Sequence, residues 1–410
     1  MMRCRHCGGT GFTPFLDLGQ APPSNSYLEA DDLSRPEKSY PLVIRTCTSC
    51  WLTQTEDFAD REEFFSGEYA YFSSFSRTWL DHAGSYVEDM RDRFGLGAGS
   101  LVAEIAANDG YLLQYVKALG IPCYGVEPTR STAQAARAKG IEIVEEFFGT
   151  GLADRLVGEG RQADLIAANN VLAHVPDIND FVAGFARLLK PAGVATFEFP
   201  HILEMVRGNQ FDTAYHEHYS YLSLLSVARI FAENGLRVFD VGVTPHHGGS
   251  LRVYACRSDH NAHPVTPAVA AMMETERQAG LEGVAFYAGF QLSAEAARDA
   301  FRSFLDDAQA AGLKVAAYGA AAKGNTLLNF AGVTARDIAF VVDRNPAKQG
   351  RYMPGSHIPI VDEDRLISEQ PDRVVILPWN IETEIRSQLS CINDWGGQFV
   401  TAIPTLAIRN

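Results

Sequence analysis

The sequence predicts an α/β protein with two doubly wound parallel sheets and a small metal-binding unit ahead of them. Three observations carry this expectation. Strand-like and helical runs alternate from Leu101 to Phe199, a second alternation starts at Lys314, and Cys-x-x-Cys pairs stand at Cys4/Cys7 and Cys47/Cys50. A chain of 410 residues also exceeds what one hydrophobic core fills, so two or three domains are expected.

Residues 1–80 read as a small, turn-rich unit, and 81–95 as a helix leading out of it. The first α/β alternation then runs in order. Leu101–Ile105 is a strand, a helix follows Gly110, Cys123–Glu127 is a strand, and 130–139 is an alanine-rich helix. The strand Ala163–Ala168, the helix Ile178–Leu189 and the strand Val194–Phe199 continue it. After a helix near 223–234 come the strands Leu236–Val243 and Ser250–Cys256, then a polar break near residue 260. A mostly helical stretch, 266–311, is interrupted near Gly280 and Gly283. The second alternation holds the strands Lys314–Tyr318, Ile338–Val342 and Arg373–Leu377. The boundaries expected from this pattern are 1–80, 81–260 and 261–410.

Charge narrows the partners. Fifty acidic against 35 basic residues give a formal charge of -15, which argues against a general nucleic-acid or anionic-membrane binder. There is no apolar run of about twenty residues, and the first residues lack the apolar core of a secretion signal. A cytoplasmic protein without nucleic-acid or membrane partners is the expectation, and three tethered domains could enclose a site in a monomer.

Four features carry chemistry. Cys4, Cys7, Cys47 and Cys50 can give four thiolates to one tetrahedral Zn²⁺ with no position left open, which makes the ion structural; the blander reading is four free thiols. Glu104-Ile-Ala106-Ala-Asn108-Asp109-Gly110 ends the first parallel strand, where a glycine-containing turn lets a ligand approach the backbone. Glu127-Pro128 ends the second strand, where an acid can accept from ribose hydroxyls, and Asn169, Asn170 and His174 follow the strand Ala163–Ala168 on the same sheet edge. A Gly-x-Gly-x-x-Gly fingerprint is absent, which weakens a dinucleotide reading. The run Phe211 to Tyr221 is the densest cluster: it places Tyr215, His216, Glu217 and His218 together, and a histidine can take and return protons near neutrality. A solvated polar loop is the alternative. In the last unit, Gly319–Asn325 puts small residues, Lys323 and a helix start at a strand end, a place for phosphate, and Asp343 ends the next strand. Close helix–sheet packing alone would also explain the glycine and alanines.

Together these residues resemble the S-adenosylmethionine-dependent C-methyltransferases that act on nucleotide-linked keto-sugars in deoxysugar biosynthesis. The resemblance runs over nearly the whole chain and includes Tyr215-His-Glu-His-x-Ser-Tyr221, His247-Gly-Gly249-Ser250-Leu-Arg252, Tyr318-Gly-Ala-Ala-Ala-Lys323-Gly-Asn325 and Leu377-Pro-Trp379-Asn380. Ala106 departs from it, standing where the family usually has glycine in the cofactor turn. The resemblance implies an N-terminal zinc-binding domain, a central Rossmann-like methyltransferase domain and a second, C-terminal Rossmann-like domain that holds the sugar nucleotide.

It further implies S-adenosylmethionine and structural Zn²⁺ as cofactors, and a thymidine- or guanosine-linked diphosphate 4-keto-deoxysugar as substrate. The expected reaction is methylation next to the keto group, at C-3′ in the better-known relatives. His218 would be the general base, with Glu217 orienting groups or binding the sugar, and Tyr215 and His174 on the keto oxygen or the ring. Tyr69 or Tyr71 would reach in from the N-terminal domain. The cofactor would rest on Glu104 to Gly110, Glu127, Pro128, Asn169 and Asn170, and the substrate on the remaining C-terminal motif residues with His247 and Asp343. The rival enzyme reading is an NAD-dependent nucleotide-sugar oxidoreductase or epimerase, and a zinc-ribbon interaction protein is a third.

Overall fold

The computed structural model describes residues 2–58 and 72–410, and Tyr69 and Tyr71 lie outside the described residues. The N-terminal unit, read from sequence as turns, contains β1 (Phe12–Ala21), β2 (Tyr40–Cys47) and β3 (Thr53–Thr55), all antiparallel. Two β-bulges interrupt the β1–β2 ladder, which hides the alternation that would announce the strands.

The central unit holds β4 (Val102–Ile105), β5 (Cys123–Val126), β6 (Glu142–Val144), β7 (Ala163–Asn169) and β8 (Leu189–Pro200), then the short β9 (Ser220–Tyr221), β10 (Leu236–Thr244) and β11 (Ser250–Arg257). The central sheet runs β10-β11-β8-β7-β4-β5-β6 and is parallel from β8 to β6. β4, β5 and β7 are buried almost throughout, as strands covered by helices on both faces must be, which is why they read as mostly apolar runs, with Glu104, Asp164 and Asn169 the charged or amide positions. The order reverses between β4 and β7, and that point opens a crevice beyond their carboxyl ends. Short elements escape the sequence reading: β6 and β9, of three and two residues, and the helices Thr150–Gly158 and Ile202–Arg207.

One helix crosses an expected boundary and a second packs across one. Arg77–Phe94 starts before residue 80, where the Ser76 side chain accepts from the Trp79 amide at 3.2 Å. Pro267–Ala279 packs back on the central unit through its buried Glu276, which accepts from His201 Nε2 at 2.7 Å and from the Leu224 and Leu225 amides. Those amides are orphan donors at the start of the helix Leu224–Glu233, so Glu276 caps it from outside.

The last unit contains β12 (Val315–Tyr318), β13 (Val341–Val342), β14 (Ile360–Val361), β15 (Arg373–Ile376), β16 (Gln398–Thr401) and β17 (Ala407–Arg409). Its order, β14-β13-β12-β15-β16-β17, also reverses at the first strand, so both sheets aim a switch point at the space between them. Of the expected strand Ile338–Val342 only Val341–Val342 pairs.

β9 does not join the sheet of its own unit. It pairs antiparallel with β3, Thr53 opposite Tyr221 and Gln54 opposite Ser220. The N-terminal sheet, β1-β2-β3-β9, therefore takes its last strand from the segment that carries His218.

The four cysteines meet in one cluster. Their sulfurs lie within 4.8 Å of one another, with Cys4 Sγ 3.4 Å from Cys50 Sγ and Cys7 Sγ 3.6 Å from Cys47 Sγ. A tetrahedral Zn²⁺ with Zn–S near ~2.3 Å puts sulfurs about 3.8 Å apart, so the set fits the ion. Both knuckles are built alike. The Gly8 amide donates to the Cys4 carbonyl at 2.9 Å, and the Trp51 amide donates to the Cys47 carbonyl at 2.9 Å. Gly8 (φ 70) and Trp51 (φ 61) occupy equivalent left-handed positions. Chelation should therefore loosen β3 and, through β9, the His218 segment. We expect a chelator to release one zinc per chain, lower the melting temperature and abolish turnover together; full turnover by metal-free protein would refute this coupling.

Candidate active site

The two switch points and the N-terminal unit enclose one cleft of about 650 Å³. On the central sheet its floor is the turn after β4, where Ala106 (φ 59) and Asn108 (φ 50) both hold left-handed backbone. Alanine carries a penalty of about 1–2 kcal/mol in that region, so the position is one where glycine would be at ease. The turn is braced across the crevice: the Asn108 amide donates to Glu127 Oε2 at 2.9 Å, and the Thr129 amide to Glu127 Oε1 at 2.9 Å. Burial raises the Glu127 carboxyl above its usual range, while these donors oppose the shift.

Asn108 Oδ1 also accepts from the Ser73 amide at 2.9 Å, which draws the segment leading into helix Arg77–Phe94 over the turn. Pro128, Asn169 and Asn170 line the cleft beside it. Glu104, Asp109 and Gly110 do not. Glu104 is fully buried under the turn beside Tyr111, its carboxyl held well above the usual range by burial. Gly110 (φ 76) serves packing, since a Cβ there would meet Ile141 at 2.4 Å.

The Phe211–Tyr221 segment forms the adjoining wall. His218 is buried, its Nδ1–H donates to the Thr213 carbonyl at 2.7 Å, and its Nε2 accepts from the Tyr215 hydroxyl at 2.6 Å. Because a carbonyl can only accept, Nδ1 must carry the proton in the neutral ring, and the lone pair is on Nε2. Burial, then His174, holds the imidazole well below its ordinary pKa, so it is unprotonated at neutral pH. His174 repeats the arrangement: its Nδ1–H donates to the Glu217 carbonyl at 2.8 Å, and burial lowers it to about 4. The two rings stand 4.6 Å apart, centre to centre.

Glu217 turns away from the cleft. Its Oε1 accepts from the Asn25 amide and side chain at 3.3 and 3.1 Å, and burial raises its carboxyl. Asn25 itself lines the cleft, from a Pro-Pro-Ser-Asn-Ser turn that carries no chemical signal in sequence. Trp79, Phe72 and Lys348 are further lining residues that the sequence reading missed. His216 faces the Tyr40 carbonyl, a contact to the N-terminal unit.

His247 lines the cleft with left-handed backbone (φ 56); Asn170 Nδ2 donates to its Nε2 at 2.9 Å, and burial lowers it to about 3. The rest of its motif lies elsewhere. Ser250 donates to the His246 carbonyl, a Cβ on Gly249 would strike Glu204, and Arg252 donates twice to the buried Glu198. His82, Glu198 and His246 bring three potential ligand atoms within 4.8 Å, but the Arg252 guanidinium already places a fixed positive charge on that carboxylate. The cluster is an ion pair and not a second metal centre.

From the last unit, Tyr318, Lys323, Asp343 and Asn380 line the cleft. Lys323 Nζ donates to Asn380 Oδ1 at 2.9 Å and lies 4.8 Å from the Trp379 ring centre. Asp343 accepts from the Ala320 and Asn345 amides, both at 2.8 Å, and so shapes the loop. Asn325 does not face the cleft: its Nδ2 donates to the Ser24 carbonyl, while Thr326 donates to the Ala214 carbonyl at 2.7 Å. Trp379 likewise packs on Gly248 from behind the lining.

A parallel sheet with a crevice at its switch point, an acid at the end of the second strand and a turn that admits a ligand to the backbone are the features of an enzyme that binds a nucleoside cofactor. Family models agree along the chain: "Putative zinc binding domain" at residues 4–65, "Methyltransferase domain" at 79–241 and "C-methyltransferase C-terminal domain" at 245–404. The chain is 33% identical over 401 residues to C-methyltransferase NovU of Streptomyces niveus, covering 98% of this chain and 95% of that one. It is 26% identical over 149 residues to a ubiquinone biosynthesis O-methyltransferase of Methylobacterium sp. (strain 4-46), covering 31% of this chain and 60% of that one. Magnesium protoporphyrin IX methyltransferase of Synechocystis PCC 6803 with bound S-adenosylmethionine aligns at 18% identity and a TM-score of 0.34, covering 44% of this chain and 79% of that one. The chain belongs to the S-adenosylmethionine-dependent C-methyltransferases that carry an N-terminal zinc-binding domain. It is an enzyme that uses S-adenosylmethionine and zinc, and the NAD-dependent reading is not favoured. Among the described residues no helix is long and apolar enough to cross a membrane.

The neutral histidines have a measurable consequence. His174 has a folded pKa of about 4 against about 6.5 unfolded, so between those values the unfolded chain binds more protons and stability falls with acid. The raised carboxyls of Glu104 and Glu217 pull the other way, so the test is a difference. Between pH 7 and pH 5 the melting temperature of His174→Asn should fall less than that of the parent; equal slopes would contradict the assignment.

Proposed function

We propose that the enzyme methylates the carbon next to the keto group of a nucleotide-linked 4-keto-deoxysugar, with C-3′ as the position, through proton abstraction by His218 and an enolate. The observation that supports this most is the state of His218: neutral, fixed in one tautomer by the Thr213 carbonyl, with its lone pair on the nitrogen that meets Tyr215. C-methylation beside a carbonyl needs such a base, because the nucleophilic carbon must first lose a proton.

Tyr215 can donate to the keto oxygen where negative charge develops. Neutral His174 has its donor committed to the Glu217 carbonyl, so its other nitrogen accepts, which suits a sugar hydroxyl better than a keto oxygen. Glu217 then acts through Asn25, holding that side chain at the cleft wall. S-adenosylmethionine supplies an electrophilic methyl group when bound. Glu127 accepts from its ribose, the Ala106–Asn108 backbone cradles its remaining polar atoms, and Phe147, Phe148 and Phe181 offer an apolar wall for the base. The loop Gly319–Ala321, the start of helix Ala322–Phe330, and Arg344 and Lys348 beside it receive the nucleotide of the sugar. Thymidine and guanosine diphosphates are the candidate handles. Tyr69 or Tyr71 completes the site in this reading.

The reading is tested by incubating the enzyme with S-adenosylmethionine and a panel of nucleotide 4-keto-6-deoxysugars, then weighing the products. His218→Asn should still bind S-adenosylhomocysteine but lose about 10²- to 10⁴-fold in kcat; near-normal turnover would remove His218 from the base role. Glu127→Gln should weaken S-adenosylhomocysteine, measured by titration calorimetry, by about tenfold, the worth of a hydrogen bond to a charged group. Unchanged affinity would place the ribose elsewhere.

A further inference from the structure

One short turn holds the candidate base directly and, through Trp379, a half-buried cation. The turn Phe211–Thr213 is fully buried apart from a trace at Thr213. The Thr213 carbonyl fixes His218 Nδ1. The residue before it, Asp212, sends its carboxylate the other way, where Oδ2 accepts from Trp379 Nε1 at 2.7 Å. The face of Trp379 carries Lys323 Nζ at 4.8 Å from the ring centre. No base-and-binding account needs a carboxylate at residue 212, and a buried ionised group is costly unless it is paired.

Resting on the keto-sugar reading, we infer that Asp212 is a positioning residue for the reaction: through Trp379 it holds Lys323 charged and aimed at the oxygen that becomes negative when His218 takes the proton. The C–H proton passes to His218 Nε2. Its electron pair forms the carbon–carbon double bond, and the carbonyl π pair moves onto oxygen, where the Lys323 ammonium meets it. The enolate carbon then bonds to the methyl group as the carbon–sulfur bond breaks, its pair staying on sulfur.

Three points favour this placement over a grip on phosphate. Among the described residues, the titratable groups that interact with the Lys323 charge are Asp212, His218 and His247, all on the central unit and two of them neutral imidazoles. Its hydrogen-bond partner Asn380 is neutral, and among the described residues Asp212 is the carboxylate that acts on the ammonium. Base and cation are also registered to each other by adjacent residues of one rigid turn, an arrangement useful for two groups acting on one carbonyl.

Asp212→Asn keeps an acceptor for Trp379 but removes the charge. Its kcat should fall about tenfold with KM for the nucleotide sugar within about twofold. Its alkaline limb should move to lower pH, since Lys323 loses the charge that favours its ammonium form. Lys323→Met should lower kcat about 10²-fold, and adding Asp212→Asn to it should cost nothing more. A readout independent of methyl transfer is exchange of the sugar C–H with deuterated solvent in the presence of S-adenosylhomocysteine. It should slow in Asp212→Asn and in Lys323→Met and persist in the parent. No exchange in the parent would overturn the keto-sugar reading itself. Normal exchange in both variants, a rise in KM alone, or a further tenfold loss in the double variant would overturn the role of Asp212. Should Asp212→Asn fail to fold, Lys323→Arg, which keeps the charge, should retain far more exchange than Lys323→Met; equal loss in both would count against the proposal.

Discussion

The hydrogen bond from His218 Nδ1 to the Thr213 carbonyl is the interaction on which the rest of the site depends. It closes the Phe211–Tyr221 segment on itself, fixes the tautomer and decides which nitrogen is available. Such a segment could not be buried by one domain, because its carbonyls and side chains each need a partner. Three units share the task. The N-terminal sheet takes β9 and donates from Thr55 to the His218 carbonyl at 3.1 Å, His174 of the central unit donates to the Glu217 carbonyl, and Thr326 of the last unit donates to the Ala214 carbonyl.

This explains why a zinc knuckle belongs in a methyltransferase. The N-terminal unit has little core of its own, and four thiolates on one ion supply the folding energy that burial does not; structural zinc is worth about 10–16 kcal/mol in small peptides. What the ion stabilises is a platform whose last strand begins two residues after His218. Four thiolates close the ligand shell and leave the metal no position for substrate.

Electrostatics follow from the same burial. Three imidazoles, His174, His218 and His247, are held neutral by burial, which outweighs the Glu217 and Thr213 carbonyls and the Glu198 carboxylate that favour their charged forms. Carboxylates in the wall are turned outward from the cleft or into backbone donors: Glu217 to Asn25, Asp343 to the Gly319 loop, Glu198 to Arg252. A cleft with neutral bases and a half-buried ammonium is suited to developing an anion.

Much of this was legible in the linear sequence, and the exceptions share a cause. The parallel strands, the four cysteines, Ala106 to Asn108, Glu127, Asn169, Asn170 and His218 follow local rules: strand burial, ligand spacing, turn chemistry and proton affinity. The motifs around Glu217, Arg252 and Asn325 point those side chains to a ligand. Each turns instead to a partner 192, 54 or 301 residues away, and only the packed chain brings those partners within reach. Asn25 and Trp79 gave no signal for the same reason, since nothing beside them in sequence marks them as cleft residues. By itself the sequence determined the parallel strands β4, β5, β7 and β8, the metal ligands and the presence of a titratable segment beyond the sheet. The tertiary structure decided which side chains face the cleft, because facing is set by contacts between units and not by the residues on either side.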